Sequence, residues 1–436
     1  MRVSVLGAGY LGSTHAACVA SWGHQVVLVE SDQRRLEAFR QGRPPLHEPG
    51  LDALIEEQVS AGRLSFSADV AAAEGCDLHF LCVGTPEGPE GTADLSYVER
   101  ALDQLAPYAG SGLVVGKSTV PVGTVNALLA RPAVRRHGVR LAWNPEFLRE
   151  GSAVEDTLRP DRLVFGMPDG EDDQELREVY RTLVEEGVPV IRTGVATAEL
   201  AKTAANVMLA TRISLVNVLA ETCDRSGADM RELATVVGLD PRIGRHVLTA
   251  GIGYGGGCLP KDSRAFGARA AELGVPLAGE LVDVIERVNL HQRQRIVDVA
   301  AAHLAGSLTG RRVGVLGAAF KGGSDDLRES PALDVVHRLL AQEAEVCVFD
   351  PAAGRRLHEV HPGVPLAPDA ESACRGAELV MVLTDWSEFA RLDPVALLDV
   401  VAQGTCIDGR QVVDAAKWRG AGWTVYVMGE GGASRG

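Results

Sequence analysis

The feature that most constrains the fold is a glycine-rich turn at the start of the chain. An apolar run, Arg2–Leu6, is followed at once by GAGYLG at 7–12, after which the pattern is helical. Glycines at this spacing between a strand and a helix let backbone N–H groups approach a pyrophosphate. Glu30 stands eighteen residues beyond Gly12, at the end of the next strand, where a carboxylate can bind an adenosine ribose. The sequence predicts a dinucleotide site, and Glu30 favours NAD over NADP because it repels a 2′-phosphate. The simpler alternative is a helix N-terminus that only packs against a sheet.

Strand and helix patterns alternate through the first part of the chain. The predicted strands are Arg2–Leu6, Gln25–Val29, Leu78–Val83, Leu113–Gly116, Arg140–Trp143 and Arg162–Phe165. This alternation is typical of a doubly wound parallel sheet.

From Thr197 the pattern becomes helical, with Thr197 as the expected N-cap and Glu199 in the first turn of a helix that reaches about 226. Further helices are predicted at about 229–237, 261–273 and 278–304. A second strand-first module opens at 311–317, with strands near Val346–Phe349, Leu379–Leu383 and Thr405–Ile407. We therefore predict an α/β protein in which two Rossmann-like doubly wound parallel-sheet domains are joined by a long-helix central bundle. The expected domains are 1–196, 197–305 and 306–436.

Composition excludes several classes of function. The net charge of −15 over 436 residues disfavours nucleic acid as a partner, and no apolar run approaches the roughly 18 residues of a membrane span. The first residues pass straight into a strand, and the eight cysteines show no C-x-x-C spacing, so we expect a cytoplasmic protein with reduced thiols. No metal site is expected, because His358 and His361 lack further ligands at a suitable spacing.

Three polar loops follow successive predicted strands, at 83–86, 118–124 and 144–151. In open α/β sheets this edge binds ligands, although each loop alone could be turn chemistry. Lys202 and Asn206 lie four apart on the predicted long helix, so both side chains can face one small ligand unless that face is merely solvated.

Cys258 lies in GYGGGCLPKD at 253–262. Glycines allow close approach of a ligand to the backbone, which suggests a substrate lying beside a nucleophilic thiol; a buried structural cysteine is the alternative. The chain has only five lysines, at 117, 202, 261, 321 and 417, so each is a candidate for a role that needs a compact ammonium group.

Eight motifs occur in order along almost the whole chain. They are GAGYLG at 7–12, VGTP at 83–86, STVPVGT at 118–124, NPEFLREG at 144–151, AELAKTAAN at 198–206, GYGGGCLPKD at 253–262, AFKGGSDDLRESP at 319–331 and IDGR at 407–410. Together they make the chain resemble the UDP-glucose/GDP-mannose dehydrogenase family. The GYGG form before the cysteine is most similar to the UDP-glucose 6-dehydrogenases, and the dTDP-glucose and GDP-mannose enzymes remain alternatives.

The resemblance implies oxidation of a sugar C6 alcohol to a carboxylate with two NAD⁺, for UDP-glucose giving UDP-glucuronate, a precursor for polysaccharide biosynthesis. Cys258 would add to the aldehyde as a thiohemiacetal, and a second hydride loss would give a thioester that water hydrolyses. By the family pattern Lys202 and Asn206 stabilise negative charge on the C6 oxygen. Asp262, Thr119 and Glu146 would hold the water; whether Lys202 or Lys261 tunes the thiol is open.

The resemblance also implies the binding residues. For the cofactor NAD they are Gly7, Gly9, Tyr10, Leu11, Gly12, Glu30, Arg35, Thr85, Thr119, Glu150, Lys261 and Arg328. For the nucleoside-diphosphate sugar they are Glu146, Phe147, Leu148, Glu150, Lys202, Asn206, Arg242, Gly255, Leu259, Lys321 and Arg410.

A homodimer through the long helix is implied too, with Arg242 reaching the neighbouring subunit's substrate. Glu30 in place of the more usual aspartate and Gly257 in place of a larger residue depart from the family pattern, and the stretch before Gly253 matches less well. Two other functions remain open: a two-electron hydroxy-acid dehydrogenase, which needs no thiol, and a nucleotide-sugar-binding protein without catalysis.

Overall fold

The computed structural model describes residues 1–42, 44 and 46–431; residues 432–436, the end of the third predicted domain, lie outside the described residues. The strands in these residues are β1 Arg2–Leu6, β2 Gln25–Val29, β3 Leu64–Ser67, β4 Leu78–Leu81, β5 Leu113–Gly116, β6 Arg140–Trp143, β7 Leu163–Met167, β8 Val190–Gly194, β9 Arg312–Leu316, β10 Glu345–Phe349, β11 Leu379–Val382, β12 Thr405–Asp408 and β13 Thr424–Val427.

The α-helices in the same residues are α1 Tyr10–Ser21, α2 Gln33–Arg40, α3 Leu51–Ser60, α4 Ser96–Leu105, α5 Thr124–Leu129, α6 Pro132–His137, α7 Ala153–Leu158, α8 Gln174–Val179, α9 Arg181–Glu185, α10 Val195–Ser226, α11 Met230–Gly238, α12 Leu259–Glu272, α13 Pro276–His303, α14 Pro331–Ala341, α15 Gly354–Val360, α16 Ala370–Cys374, α17 Pro394–Leu398 and α18 Ala415–Gly420.

The first sheet has eight strands in the order β3-β2-β1-β4-β5-β6-β7-β8. The first six of these are parallel, whereas β7 pairs with β6 antiparallel through Trp143 and Gly166. β8 continues parallel to β7.

The second sheet has five strands in the order β10-β9-β11-β12-β13, and every pairing is parallel. Apolar side chains cover both faces of each sheet. β4, β5 and β11 are buried along their whole length. β5 and β11 are accordingly apolar throughout, whereas β4 includes His79, whose ring hydrogen-bonds to the Ser4 hydroxyl. The predicted α/β class with two Rossmann-like sheets is confirmed.

Three strands escaped prediction. β3 reads LSFS and β8 is mostly exposed, so neither carries a buried apolar run, and β13 follows a short turn after α18. β3 and β8 are the edge strands of the first sheet, where exposure to solvent weakens the apolar signal; β13 is mostly buried, so this reason does not apply to it.

The described residues pack into two compact units. One comprises Met1–Ala205 with Arg264–Pro276, and the other comprises Asn206–Ser263 with the chain from Leu277 onward. The division into three domains at 196/197 and 305/306 stays a prediction.

The long helix α10 spans 32 residues and begins at Val195, so the N-cap predicted at Thr197 was wrong. Among the described residues α10 is the one helix long and apolar enough to cross a membrane, with a mean hydropathy of 1.3 over its most apolar window. Because 44% of that window is buried and the core helix of a soluble protein passes the same test, this is weak evidence for a span.

Candidate active site

The glycine turn after β1 is shaped mainly by packing. Gly7 has φ +99, and a side chain there would lie 3.0 Å from the carbonyl oxygen of Cys82. At Gly12 a Cβ would lie 1.8 Å from the carbonyl oxygen of Gly7, so α1 can approach the turn only without one. A Cβ at Gly9 would meet no atom within 4 Å. Gly9 is therefore the glycine of the three whose surroundings leave room for a ligand, and the turn fits a dinucleotide pyrophosphate.

Glu30 is buried and tied to this turn. Its Oε2 accepts a hydrogen bond from the Ala8 N–H at 3.0 Å and lies 3.2 Å from the Arg35 guanidinium. Its Oε1 accepts from the Asp32 N–H at 2.9 Å. The predicted carboxylate thus stands at the turn, already supplied with hydrogen bonds.

Two further contacts join the turn to the loop that follows β6. The Gly151 N–H donates to the Tyr10 hydroxyl at 2.6 Å and to Glu48 Oε2 at 2.7 Å, and Glu48 also accepts from the Ala153 N–H at the start of α7. Leu11 packs against the core beside them. The structure therefore brings Tyr10 beside the loop of Glu150, while Glu48 is a site-supporting residue that no motif had indicated.

The loops after β4, β5 and β6 also converge. The Thr85 hydroxyl donates to the Thr119 carbonyl at 2.9 Å, which joins the first two loops. Glu146, in the third, forms a buried ion pair with Lys202, with 2.9 Å between Nζ and Oε1. Its other oxygen accepts from the Leu148 N–H at 2.8 Å.

Phe147 completes this cluster: its ring lies 5.8 Å from the Lys202 ammonium and 3.9 Å from the Arg162 guanidinium. Glu146, Phe147, Leu148 and Lys202 are therefore assembled in one place.

In the second unit, Cys258 is exposed and directly precedes α12. Its carbonyl accepts the Asp262 N–H at 2.9 Å, so the thiol stands at the positive end of a helix, an environment that favours an anion. The Asp262 carboxylate is 1% exposed; it accepts from the Asn206 amide at 2.7 Å and from the Lys261 ammonium at 2.6 Å. Asn206, Lys261 and Asp262 thus form one hydrogen-bonded group.

Other groups of the protein occupy the space in which side chains of the glycines before Cys258 would lie. A Cβ would lie 2.3 Å from Asn289 Oδ1 at Gly253, 2.2 Å from the Glu329 carbonyl at Gly255, and 2.8 Å from the Phe320 ring at Gly256. At Gly257 it would lie 2.3 Å from the Arg328 guanidinium. The family departure at Gly257 thus has a physical reason: Arg328 occupies the space of a side chain.

Arg328 and Arg410 both engage their own chain. Arg328 Nε donates to the Asp326 carboxylate at 2.8 Å. Arg410 donates to the carbonyls of Gly253 at 2.7 Å, Leu383 at 3.0 Å and Phe320 at 3.3 Å. Arg410 thereby clamps the glycine loop. Lys321 is half-buried, and its ammonium lies 5.9 Å from the Phe320 ring. Leu259 is half-buried too and is the first residue of α12.

Arg242 is placed differently from the other predicted residues. Its side chain is 86% exposed, and its guanidinium pairs only locally, 2.6 Å from the Asp240 carboxylate. His358 lies in α15 and His361 directly after it. In the described residues no group of three or more His, Cys, Asp or Glu side chains is placed to hold a metal ion.

Sequence reasoning named Lys117 only as one of five scarce lysines and did not predict the buried group that it forms behind the loops. Lys117 donates to Asn144 Oδ1 at 2.9 Å and to the Tyr180 hydroxyl at 3.1 Å. Burial lowers the pKa of Lys117 to about 8. The scarcity of lysine was the one signal that could have indicated it.

Three models of one family match consecutive parts of this chain: its NAD binding domain over residues 1–184, its central domain over 196–291 and its UDP binding domain over 314–415. The chain belongs to the UDP-glucose/GDP-mannose dehydrogenase family. Its glycine turn and Glu30 fall in the first match, Lys202, Asn206 and Cys258 in the second.

Relatives in this family are similar over nearly the whole length. UDP-glucose 6-dehydrogenase of Rhizobium meliloti (strain 1021) is 38% identical over 419 residues, which are 94% of this chain and 95% of that protein. A UDP-glucose 6-dehydrogenase of Haloferax volcanii is 39% identical over 425 residues, 95% of this chain and 97% of that protein.

Solved structures agree with the dehydrogenase family fold. A UDP-glucose dehydrogenase from the hyperthermophilic archaeon Pyrobaculum islandicum has a TM-score of 0.87 and 39% identity, covering 97% of this chain and 98% of that one. A UDP-D-ManNAc dehydrogenase from Pyrococcus horikoshii has a TM-score of 0.85 and 27% identity, covering 99% and 100%. The predicted family and fold are confirmed.

Proposed function

We propose that this chain is a nucleoside-diphosphate-sugar 6-dehydrogenase that converts UDP-glucose, two NAD⁺ and water to UDP-glucuronate and two NADH, with release of protons. The observation that carries the proposal is the exposed Cys258 thiol at the N-terminus of α12, four residues before a buried Asp262 carboxylate held by Asn206 and Lys261. A simple alcohol dehydrogenase needs no such thiol, whereas oxidation to an acid gains from covalent capture of the aldehyde.

NAD is the cofactor, and when bound it accepts the hydride in each oxidation. The residues fit it: Gly9 has open space above the turn, and Glu30 stands ready for a ribose, where its charge opposes a 2′-phosphate. The other cofactor residues of the proposal are Gly7, Tyr10, Leu11, Gly12, Arg35, Thr85, Thr119, Glu150, Lys261 and Arg328.

In the proposed mechanism, different residues of the chain act as nucleophile, stabilise negative charge and position water. The Cys258 thiolate adds to C6 of the aldehyde and forms a C–S bond. This C–S bond breaks when water attacks the carbonyl carbon of the thioester, which releases the thiolate. Lys202, with Asn206 one helical turn further along α10, stabilises the negative charge on the C6 oxygen. Asp262, Glu146 and Thr119 orient the water and take its proton.

Substitution of the nucleophile tests this mechanism. Cys258→Ser should lower net UDP-glucuronate formation by at least about 10³-fold while both ligands still bind, because a hydroxyl lacks the nucleophilicity of a thiolate. We would measure NADH by absorbance and UDP-glucuronate by chromatography, with Cys347→Ser, at a half-buried position in β10, as the matched control.

Wild type should give two NADH per sugar. One NADH per sugar, or substantial turnover by Cys258→Ser, would remove the thiol from the reaction and point to a two-electron dehydrogenase. Rates with UDP-glucose, dTDP-glucose, GDP-mannose and UDP-N-acetyl sugars would identify the substrate, and no oxidation of any of them would contradict the proposed activity.

We also propose a cytoplasmic homodimer built on α10 and α13. Large apolar side chains are exposed on both helices, including Met208 at 73%, Leu215 at 57% and Leu277 at 70%. Exposed apolar patches of this kind favour protein contacts. The exposed Arg242 would then reach the partner's substrate, while residues 1–196 hold NAD and 306–436 hold the nucleotide.

A further inference from the structure

Lys117 is a buried cation that none of the proposed steps uses. It directly follows β5 and is 7% exposed. Its ammonium donates to Asn144 Oδ1 and to the Tyr180 hydroxyl, and Tyr180 donates to the same Asn144 oxygen at 2.6 Å. The rings of Phe80 and Tyr180 lie 5.7 Å from the ammonium. Three polar side chains thus close a triangle inside an apolar core.

This triangle joins the starting points of two loops. Asn144 directly follows β6, its backbone N–H donates to the Gly116 carbonyl at 2.8 Å, and its side-chain amide donates to the Val164 carbonyl in β7 at 2.9 Å. The Lys117 side chain therefore links the first residue after β5 to the first residue after β6.

Both loops carry proposed catalytic residues close to this link. Thr119 lies two residues beyond Lys117, and Glu146 lies two residues beyond Asn144. Glu146 pairs with Lys202 at 2.9 Å, so a shift of Asn144 would move the start of the loop that carries this ion pair. A displacement of about 1 Å in such a group can lower a rate by about 100-fold.

Stability alone does not account for the lysine. An ammonium in an apolar core is costly, and methionine has a similar length without the charge. If Lys117 became Met, Asn144 Oδ1 would keep the Tyr180 hydrogen bond, so no buried carbonyl would lose its last partner.

We propose that Lys117 is a positioning residue, whose hydrogen bonds to Asn144 and Tyr180 fix the spacing of the loops 118–124 and 144–151 and so aim Thr119 and Glu146 at the substrate. The proposal rests on the proposed 6-dehydrogenase function.

The test is a double-mutant cycle with Lys117→Met and Glu146→Gln, read as initial rates of UDP-glucose-dependent NADH formation. Lys117→Met should lower kcat by about 10- to 100-fold with little change in KM, but by less than about 3-fold when Glu146 is already Gln, because the lysine acts through that loop. Lys417→Met, at an exposed lysine of α18, is the matched control and should keep the wild-type kcat.

Thermal unfolding separates positioning from a structural role. The folded pKa of Lys117, about 8, lies below its ordinary value of 10.5, so the charged side chain costs stability below pH 8 and this cost fades as pH rises toward 10.5. Lys117→Met should therefore not lower Tm at pH 7, and its Tm relative to wild type should fall between pH 8 and pH 10. The titratable groups that face Lys117 are His15 of α1, Cys82 after β4, Tyr180 after α8, Glu146 and Lys202.

Each outcome decides the matter. Unchanged kcat, or an equal loss of kcat in both Glu146 backgrounds, would overturn the proposal. If Lys117→Met did not fold, Tyr180→Phe would replace it in the cycle, with a smaller loss of kcat that again depends on Glu146. Absence of NADH formation by wild type would instead refute the underlying function.

Discussion

The glycines before Cys258 each meet a different group of the same compact unit. Sequence reasoning predicted that they bring the backbone against a sugar, but Asn289, Glu329, Phe320 and Arg328 fill the space where their side chains would stand. Glu329 has φ +47, an unusual conformation for a residue with a side chain, and its carbonyl faces Gly255. The glycines at 253–257 therefore serve mainly to let the segment before Cys258 pack closely against residues 320–331.

Two neighbouring glycines should respond differently to alanine. Gly255→Ala should lower the free energy of unfolding by about 1–3 kcal/mol, because the new methyl meets the Glu329 backbone. Gly257→Ala, the matched comparison, should cost less, since the Arg328 guanidinium is the end of a flexible side chain and can move. Differential scanning calorimetry would compare their Tm values, and a larger loss for Gly257→Ala would contradict this account.

At the residue scale, the sequence identified residues that lie inside motifs, but it did not identify contacts that form only when distant parts of the chain pack together. The Lys202–Glu146 pair and the contacts of Asp262 follow from residues inside recognisable motifs. Tyr180 gave no signal, because it lies 63 positions from Lys117 in the sequence and meets it only in the folded chain. The clamp by Arg410 on three carbonyls was also beyond sequence reasoning, which had assigned that arginine to the substrate.

Among the elements, α10 shows how tertiary contacts override local signals. Glu199 was expected to serve the first turn of its own helix, yet its carboxylate accepts from the N–H groups of Gly123 at 2.7 Å and Val125 at 2.6 Å. It therefore caps α5, the helix that follows the Thr119 loop. Burial raises the pKa of Glu199, and these backbone hydrogen bonds oppose that rise.

Removing one acceptor from Glu199 should weaken this connection. Glu199→Gln should lower the free energy of unfolding by about 1–3 kcal/mol, because its amide group would face one of two buried N–H donors without accepting from it. Chemical denaturation would measure the change, and Glu56→Gln at an exposed position of α3 is the control. Equal stabilities for the two variants would show that Glu199 caps α5 only weakly.

Strand boundaries were predicted well where strands are central and poorly at the edges. β1, β2, β5 and β6 match their predicted bounds, since buried parallel strands are predominantly apolar. The antiparallel direction of β7 is seen in its pairing with β6, which no local sequence pattern encodes.

On the scale of the whole molecule, each sheet builds the same turn. In the first, Gly7 donates to the Val29 carbonyl and Glu30 accepts from Ala8; in the second, Gly317 donates to the Phe349 carbonyl and Asp350 accepts from the N–H groups of Ala318 and Ala319. The loose likeness of the two strand openings in the sequence is thus a real structural repeat. Both turns are organised by the chain itself, which lowers the cost of ordering them around a ligand.

The proposed dimer yields a prediction at this scale. Met208→Glu with Leu215→Glu should abolish dimerisation, because two charges seven residues apart on one face of α10 would have to be buried. Light scattering should then report 46.1 kDa instead of twice that mass. Val395→Glu, 60% exposed on α17, is the control and should leave the mass unchanged. A wild-type monomer, or a dimer in the double variant, would contradict the proposed interface.

The distribution of lysines has a practical side for work with this protein. Lys117 and Lys202 are buried, Lys261 and Lys321 are half-buried, and Lys417 is the exposed one among the five. Amine-reactive dyes, crosslinkers and coupling resins would thus attach mainly at α18 and at the N-terminus. Lys417 is thus the lysine side chain best placed for oriented immobilisation or fluorescent labelling, without any engineered residue.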